Sequence, residues 1–147
     1  MNISLHKANL RDLTFFFELK TEKISKRNSL NTKKINLHVH KNWFLKNLVS
    51  KKKILLVAKK NKKNKIGIVR YDKNEDFTEV SIIIEPSFRG QGLGAKILKK
   101  SENFLKKGTI IISKVKKNNK NSLIVFKKNA YKVLYLKNKV YTLYKVF

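Results

Sequence analysis

Three of the chain's five glycines fall within five residues, at Gly90, Gly92 and Gly94. They stand between the apolar run Ile82-Ile83-Ile84 and a segment, Gly92 to Lys106, in which Leu93, Ile97, Leu98, Phe104 and Leu105 recur at helical spacing with lysines opposite. The pattern predicts a strand, a tight turn and a helix. One glycine would meet the need of such a turn for positive φ. Three at alternate positions go further, because they let the backbone approach a ligand closely. The N–H groups of the following helix's first turn are unsatisfied and point outward, an anion site that the helix dipole reinforces. The segment therefore reads as a phosphate cradle. Its spacing does not fit the nucleoside-triphosphate loop, which requires a glycine five residues before Gly-Lys-Ser/Thr; Gly90 to Lys96 does not supply that. It also misses the dinucleotide fingerprint G-x-G-x-x-G, since Ile97 stands where the third glycine would be.

The flanking sequence predicts a mixed sheet with helices packed on it, in the order β-α-α-β-β-β-α-β-α-β-β. Ile3 to Lys7 reads as a first strand. Asn9 suits the N-cap of a helix from Leu10 to about Lys20 whose apolar face is Leu10, Leu13, Phe16 and Phe17. Thr21 to Lys34 is polar and irregular, a loop with room for a short helix. Asn36 suits the cap of a second helix burying His40, Trp43, Phe44 and Leu48. Ile54–Ala58 and Lys65–Tyr71, separated by a polar turn, predict an antiparallel hairpin, and Thr78 to Ile84 a further strand. Ile82-Ile83-Ile84 is apolar on both faces, as a central strand requires. Gly108 punctuates the end of the helix after the glycine loop. Thr109–Val115 then reads as a strand, Asn121–Lys128 as a short helix, and Tyr131–Leu136 with Val140–Phe147 as a closing hairpin.

A chain of 147 residues fits a single domain, residues 1–147, with one core. No apolar run approaches the roughly 20 residues of a membrane span. The N-terminus lacks the pattern of a secretion signal, so the expected setting is cytoplasmic. The absence of cysteine excludes disulfides, thiolate metal sites and a cysteine nucleophile. A net charge of +27 draws anionic partners, whether nucleic acid, a membrane surface or a phosphate-rich small molecule. The cations are nearly all lysines scattered along the chain beside abundant asparagine, with arginine only at Arg11, Arg27, Arg70 and Arg89. That distribution fits compositional drift better than a nucleic-acid footprint, because arginine is the residue suited to planar, bidentate phosphate and base recognition.

With these residues in place, Arg89-x-x-Gly92-x-Gly94 resembles the Q/R-x-x-G-x-G/A pyrophosphate motif of the GNAT superfamily of acetyl-CoA-dependent N-acetyltransferases. The preceding strand, Pro86 and the following helix fall where that family has them, and the element order covers nearly the whole chain. The segment Asn119-x-x-Ser122-x-x-x-Phe126, with Ala130 where a glycine is usual, is similar to the family's C-terminal motif. The resemblance implies a GNAT acyltransferase fold of the α+β class and acetyl-CoA as donor, with no metal. It implies cofactor contacts from Ile83, Ile84 and Glu85, from Arg89, Gly90, Gln91, Gly92, Leu93, Gly94 and Ala95 in the loop, and from Asn119, Ser122 and Phe126 along the pantetheine arm.

Acetyl transfer by direct attack needs a neutral amine, a donor to the developing oxyanion and a proton for the leaving thiolate. Many relatives carry a tyrosine at the position of Phe126, and phenylalanine donates no proton, so the acid stays open among water, Tyr131 and Tyr141. Of nine carboxylates, Glu79 is the expected base by resemblance, with His40 the other candidate because its unperturbed pKa suits transfer near neutrality. Arg27-Asn28-Ser29, then Ile35, then His40 to Trp43-Phe44 is similar to a pattern of bacterial nucleotide-sugar N-acetyltransferases. That implies an amino-sugar nucleotide as acceptor: Trp43 offers a face for a sugar or base, and Arg27 with nearby lysines suits a diphosphate. A lone tryptophan on an amphipathic helix also fits a core position. A protein or peptide amine is the alternative acceptor. A basic nucleic-acid-binding module without catalysis is the alternative of another class. It requires an exposed aromatic or arginine cluster on one face, which the sequence does not display. No specific nucleic acid and no membrane is expected as partner, and a monomer or homodimer is expected as the assembly.

Overall fold

The computed structural model describes residues 2–31 and 33–147; Met1, and Thr32 within the loop expected over Thr21–Lys34, lie outside the described residues. Among the described residues seven strands form one sheet: β1 (Ile3–Lys7), β2 (Lys53–Lys60), β3 (Asn64–Lys73), β4 (Thr78–Ile84), β5 (Ile110–Lys116), β6 (Lys132–Lys137) and β7 (Val140–Val146), in the spatial order β1-β2-β3-β4-β5-β7-β6. Every neighbouring pair is antiparallel except β4 and β5. Five α-helices among the described residues accompany the sheet: α1 (Leu13–Thr21), α2 (Lys23–Asn28), α3 (Leu37–Leu48), α4 (Leu93–Ser101) and α5 (Lys120–Lys128). This is the α+β arrangement the sequence implied, with α2 added inside the expected loop.

Side chains alternate faces along each strand, so the sheet divides into two cores. On one face Leu56, Ala58, Val69, Tyr71 and Val80 pack against Leu93, Ile97 and Leu98 of α4 and Phe126 of α5. On the other, Leu55, Val57 and Ile68 pack with Phe16, Leu19 and Phe44 from α1 and α3.

The caps explain where the helices begin. Asn9 and Asp12 form a capping box, with Asn9 Oδ1 accepting from the Arg11 N–H and Asp12 from the Asn9 N–H; this nucleates the 3-10 turn Leu10–Asp12 ahead of α1. The helix therefore buries Phe16 and Leu19 rather than the whole expected stripe, and Leu10 is exposed, because a 3-10 turn carries it round the axis differently. Asn36 caps α3 as expected, by accepting from the Val39 N–H. The expected long helix after the glycine loop is shorter, ending at Ser101 and passing into the 3-10 turn Glu102–Phe104. Buried Glu102 fixes that turn by accepting from the Tyr131 hydroxyl at 2.9 Å and pairing with Lys145 at 2.8 Å. Gly108, at φ +87°, turns the chain into β5 and donates its N–H to the Phe147 carbonyl rather than closing the helix.

Candidate active site

The central strand has two unlike edges. β4 pairs with β3 along its whole length, from Thr78 opposite Lys73 to Ile84 opposite Gly67. With β5 it shares only Thr78–Ile111 and Glu79–Ile112, after which the parallel strands part. The fork leaves backbone groups of β4 without strand partners. The Glu85 N–H donates to the Ile66 carbonyl at 2.8 Å, toward β3. Backbone groups alternate sides along a strand, so Ile83 and Ser81 also face β3, and Ile82 and Ile84 face the fork. Of the expected trio Ile83, Ile84 and Glu85, it is Ile84 whose backbone faces the opening. Ile82, which the sequence did not single out, joins it. The Ile84 carbonyl accepts from Arg89 Nε at 2.9 Å, which leaves the N–H groups of Ile82 and Ile84 to line the fork.

Beyond β4 the chain makes a 3-10 turn, Pro86–Phe88, where Glu85 accepts from the backbone and hydroxyl of Ser87. It then enters the glycine loop. Gly90 and Gly92 lie at φ +76° and +73°, and a Cβ on either would meet nothing within 4 Å. Their glycine identity serves the backbone conformation and keeps the surface bare. Gly92 is the N-cap of α4, so no side chain caps that helix, whereas Glu22, Asn36 and Asn119 cap α2, α3 and α5. The first N–H groups of α4, on Leu93, Gly94 and Ala95, are thus open to an anion. Gly94 serves a different end. A Cβ there would stand 3.0 Å from Val125 Cγ2, so its smallness lets α4 and α5 approach. Gln91 is exposed and donates to the Ser87 carbonyl at 3.3 Å.

Arg89 ties the loop to α2. Its Nη2 donates to Glu22 Oε2 at 2.9 Å and to Ser25 Oγ at 3.0 Å. Burial raises the Glu22 pKa, but N–H bonds from Ile24 and Ser25 and the Arg89 guanidinium outweigh it and hold the carboxyl at about 2. At the other end of α2, Lys116 Nζ of β5 donates to the Arg27 carbonyl at 2.9 Å. The short helix is therefore clipped to the chain leaving β4 on one side and to the end of β5 on the other, a strap across the mouth of the fork. Arg27 and Asn28 line a cleft of about 230 Å³ with Asn118 and Asn119. Ser29 accepts from the Asn31 N–H at 3.2 Å.

On α5, Asn119 spends its carbonyl oxygen on the Ser122 N–H. Phe126 is buried edge-on against Tyr131, ring centres 5.0 Å apart. Burial and the charge of Glu102 push the Tyr131 pKa upward, and its hydroxyl is committed to that carboxylate, so its proton stays in the core.

The two candidate bases lie in different environments. Glu79 is the last β4 residue paired with β5, half-buried, 3.8 Å from Lys114 Nζ. By alternation it shares the face of Ile83, which packs into the α1–α3 core. His40 is fully enclosed among Phe17, Trp43 and Phe44. Its Nε2 lies 3.0 Å from the Leu13 carbonyl and so carries the proton. Burial pushes its pKa down, with the Leu13 contact opposing and the charge of Lys20 adding. In this conformation His40 has no route to an acceptor amine. Trp43 is only partly buried, with Lys20 Nζ 3.4 Å from its ring centre and the Arg70 guanidinium at 5.6 Å.

An uncapped, glycine-led helix after an apolar strand is the setting the sequence motif implied, and the structure adds the fork between β4 and β5. The model of the acetyltransferase (GNAT) family matches residues 17–131, and the chain belongs to that family. Solved structures agree on the fold. A spermidine N-acetyltransferase from Vibrio cholerae, in complex with CoA and spermine, superposes with a TM-score of 0.85 at 16% identity, covering 98% of this chain and 95% of that one. A domain from Methanocaldococcus jannaschii gives 0.82 at 17%, with 99% of each chain covered. An aminoglycoside acetyltransferase in complex with coenzyme A gives 0.80 at 13%, covering 99% and 95%. No curated protein sequence matches the chain.

Proposed function

We propose that residues 1–147 act as one cytoplasmic N-acetyltransferase domain that moves the acetyl group of acetyl-CoA to a primary amine by direct attack, the acceptor being a nucleotide-linked amino sugar. The observation that carries the donor is the juxtaposition of the β4–β5 fork with the uncapped N-terminus of α4. The donor, when bound, supplies an activated thioester. The residues present fit it: Gly90 and Gly92 keep the surface bare of side chains, and the N–H groups of Leu93, Gly94 and Ala95 face the pyrophosphate position. Ile82 and Ile84 present N–H groups to the fork, where a carbonyl would accept them. Glu79, at the crotch of the fork, takes the proton from the incoming ammonium through water. Phe126 has no proton to give a leaving thiolate and the Tyr131 proton is held by Glu102, which leaves water or the Tyr141 hydroxyl to supply one.

For the acceptor, the support is electrostatic. The field of a +27 chain favours an anionic molecule and disfavours a polycation such as the ligand of the Vibrio enzyme. Two measurements test the reading. Acetyl-CoA at 100 times its Kd should stabilise the protein by about 2.7 kcal/mol, and Gly92→Glu should abolish that shift by placing bulk and negative charge in the cradle. Retained acetyl-CoA affinity in the variant refutes the cradle. Thiol release measured against amino-sugar nucleotides, peptides and small amines tests the acceptor, and a preference for polyamines would overturn it.

A further inference from the structure

The sheet face that carries Glu79 and Ile83 changes character along its length. Near α1 and α3 it is apolar, with Leu55, Val57 and Ile68. One step further along the strands it becomes polar. Arg70 stands opposite Ser81, and Asp72 stands opposite Glu79 on one side and Lys53 on the other. Trp43 of α3 and Lys20 at the end of α1 overhang this patch.

The charges there do not balance. Asp72 lies 3.2 Å from Lys53 and 3.3 Å from Arg70 Nε, and Glu79 lies 3.8 Å from Lys114. Two carboxylates thus face four cations once Lys20 is counted. Among the described residues no carboxylate lies within ion-pair distance of Lys20. Burial and the neighbouring charge of Arg70 push its pKa down to about 8, with Asp72 opposing. Arg70 meets Asp72 through Nε, and among the described residues its terminal nitrogens make no ion pair. Lys20 without a carboxylate and Arg70 with its terminal nitrogens unpaired call for an anionic partner.

We propose that Lys20 and Arg70 form an oxyanion-binding subsite of the acceptor cleft, with Trp43 as the positioning residue that holds the Lys20 ammonium over it. The acceptor amine then belongs to a molecule that also carries a phosphate or carboxylate. Ser81 lies beside Arg70 and two residues before Ile83, so the subsite sits about 7 Å along β4 from the midpoint of the Ile82–Ile84 stretch whose N–H groups line the fork. That separation suits a small acceptor whose amine and oxyanion are joined by a short frame. The inference rests on the transferase reading, deepens its acceptor side and assigns a role to residues outside the donor cradle.

The chain's single tryptophan makes the test direct, because tryptophan emission reports on Trp43 alone. The protein is saturated with coenzyme A to fill the donor cradle, then titrated with inorganic phosphate, acetate, glucosamine 6-phosphate and glucosamine. Glucosamine 6-phosphate should change the emission saturably and bind at least about tenfold more tightly than glucosamine. Comparison of phosphate with acetate decides which oxyanion the subsite prefers. Lys20→Gln and Arg70→Gln should each weaken that binding about tenfold while coenzyme A affinity stays unchanged; exposed Lys99→Gln should weaken neither. Equal binding of glucosamine, equal weakening by Lys99→Gln, or no saturable change with coenzyme A bound would overturn the subsite and leave the donor reading standing. Failure of coenzyme A itself to bind would instead remove the transferase reading.

Discussion

Gly94→Ala separates the packing glycine from the two that shape the loop. Within a helix, alanine for glycine ordinarily stabilises by about 1 kcal/mol. At Gly94 the added methyl would stand 3.0 Å from Val125 Cγ2 and 3.6 Å from Cγ1, against an optimum of about 3.5–4.0 Å for carbon pairs. Val125 has little freedom to give way. A helical valine holds one dominant rotamer, and the two helices are pinned where Asn129 Nδ2 donates to the Ala95 carbonyl at 3.0 Å and the Val125 carbonyl at 3.1 Å. Overpacking of this kind costs about 1–3 kcal/mol. Set against the propensity gain, the net is a loss of about 1 kcal/mol, or roughly 3 °C in Tm. Urea unfolding of Gly94→Ala, Val125→Ala and the double variant measures it. In the Val125→Ala background the glycine substitution should turn stabilising, giving a coupling of about 1 kcal/mol or more. A Gly94→Ala protein that is more stable than the parent, or substitutions that simply add, would refute the reasoning. Gly92→Ala, with open space but φ +73°, should cost about 1–2 kcal/mol whatever stands at residue 125.

Ala130 occupies the left-handed region at φ +67°, so Ala130→Gly should raise stability by about 0.5–1 kcal/mol in urea unfolding, the relief of strain exceeding the added chain entropy. Because the folded His40 pKa lies below its ordinary 6.5, its contribution is intact above that value and is lost as pH falls from 6.5 toward the folded value. His40→Gln should flatten that part of the stability-versus-pH curve, and an unchanged curve would show that His40 titrates alike in the folded and unfolded states. Tyr131→Phe should cost about 1–3 kcal/mol of stability by stripping a hydrogen bond from buried Glu102, yet leave kcat unchanged. A large kcat loss with stability intact would make Tyr131 the acid.

The fold was legible because its elements announce themselves locally. The apolar runs of β2 and β3, the asparagine caps Asn9 and Asn36 and the glycines before α4 each act over a few residues. Helix α2 was harder to see: six residues long and without an apolar stripe, it depends on Glu22 accepting from the N–H groups of Ile24 and Ser25. The site was legible only in part. The glycine triplet marks the loop, but the division of labour between Gly92 and Gly94 depends on Val125, thirty-one positions away in the chain. Likewise the enclosure of His40 depends on Leu13 and Phe17, and the meeting of Lys20, Trp43 and Arg70 joins two helices and a strand. Contacts of that separation leave no local pattern to read.

The two-edged β4 behaves as a reading frame. Its odd residues from Glu79 to Ile83 bond to β3 and turn their side chains toward the face of α1 and α3; its even residues from Val80 to Ile84 open onto the fork and turn theirs toward α4 and α5. A single residue inserted between Glu79 and Ile82 would shift that frame and exchange both assignments at once. Both helical layers would then face the wrong side chains, and the backbone offered to the donor would be the set now spent on β3. Length, more than side-chain identity, is what this strand has to preserve.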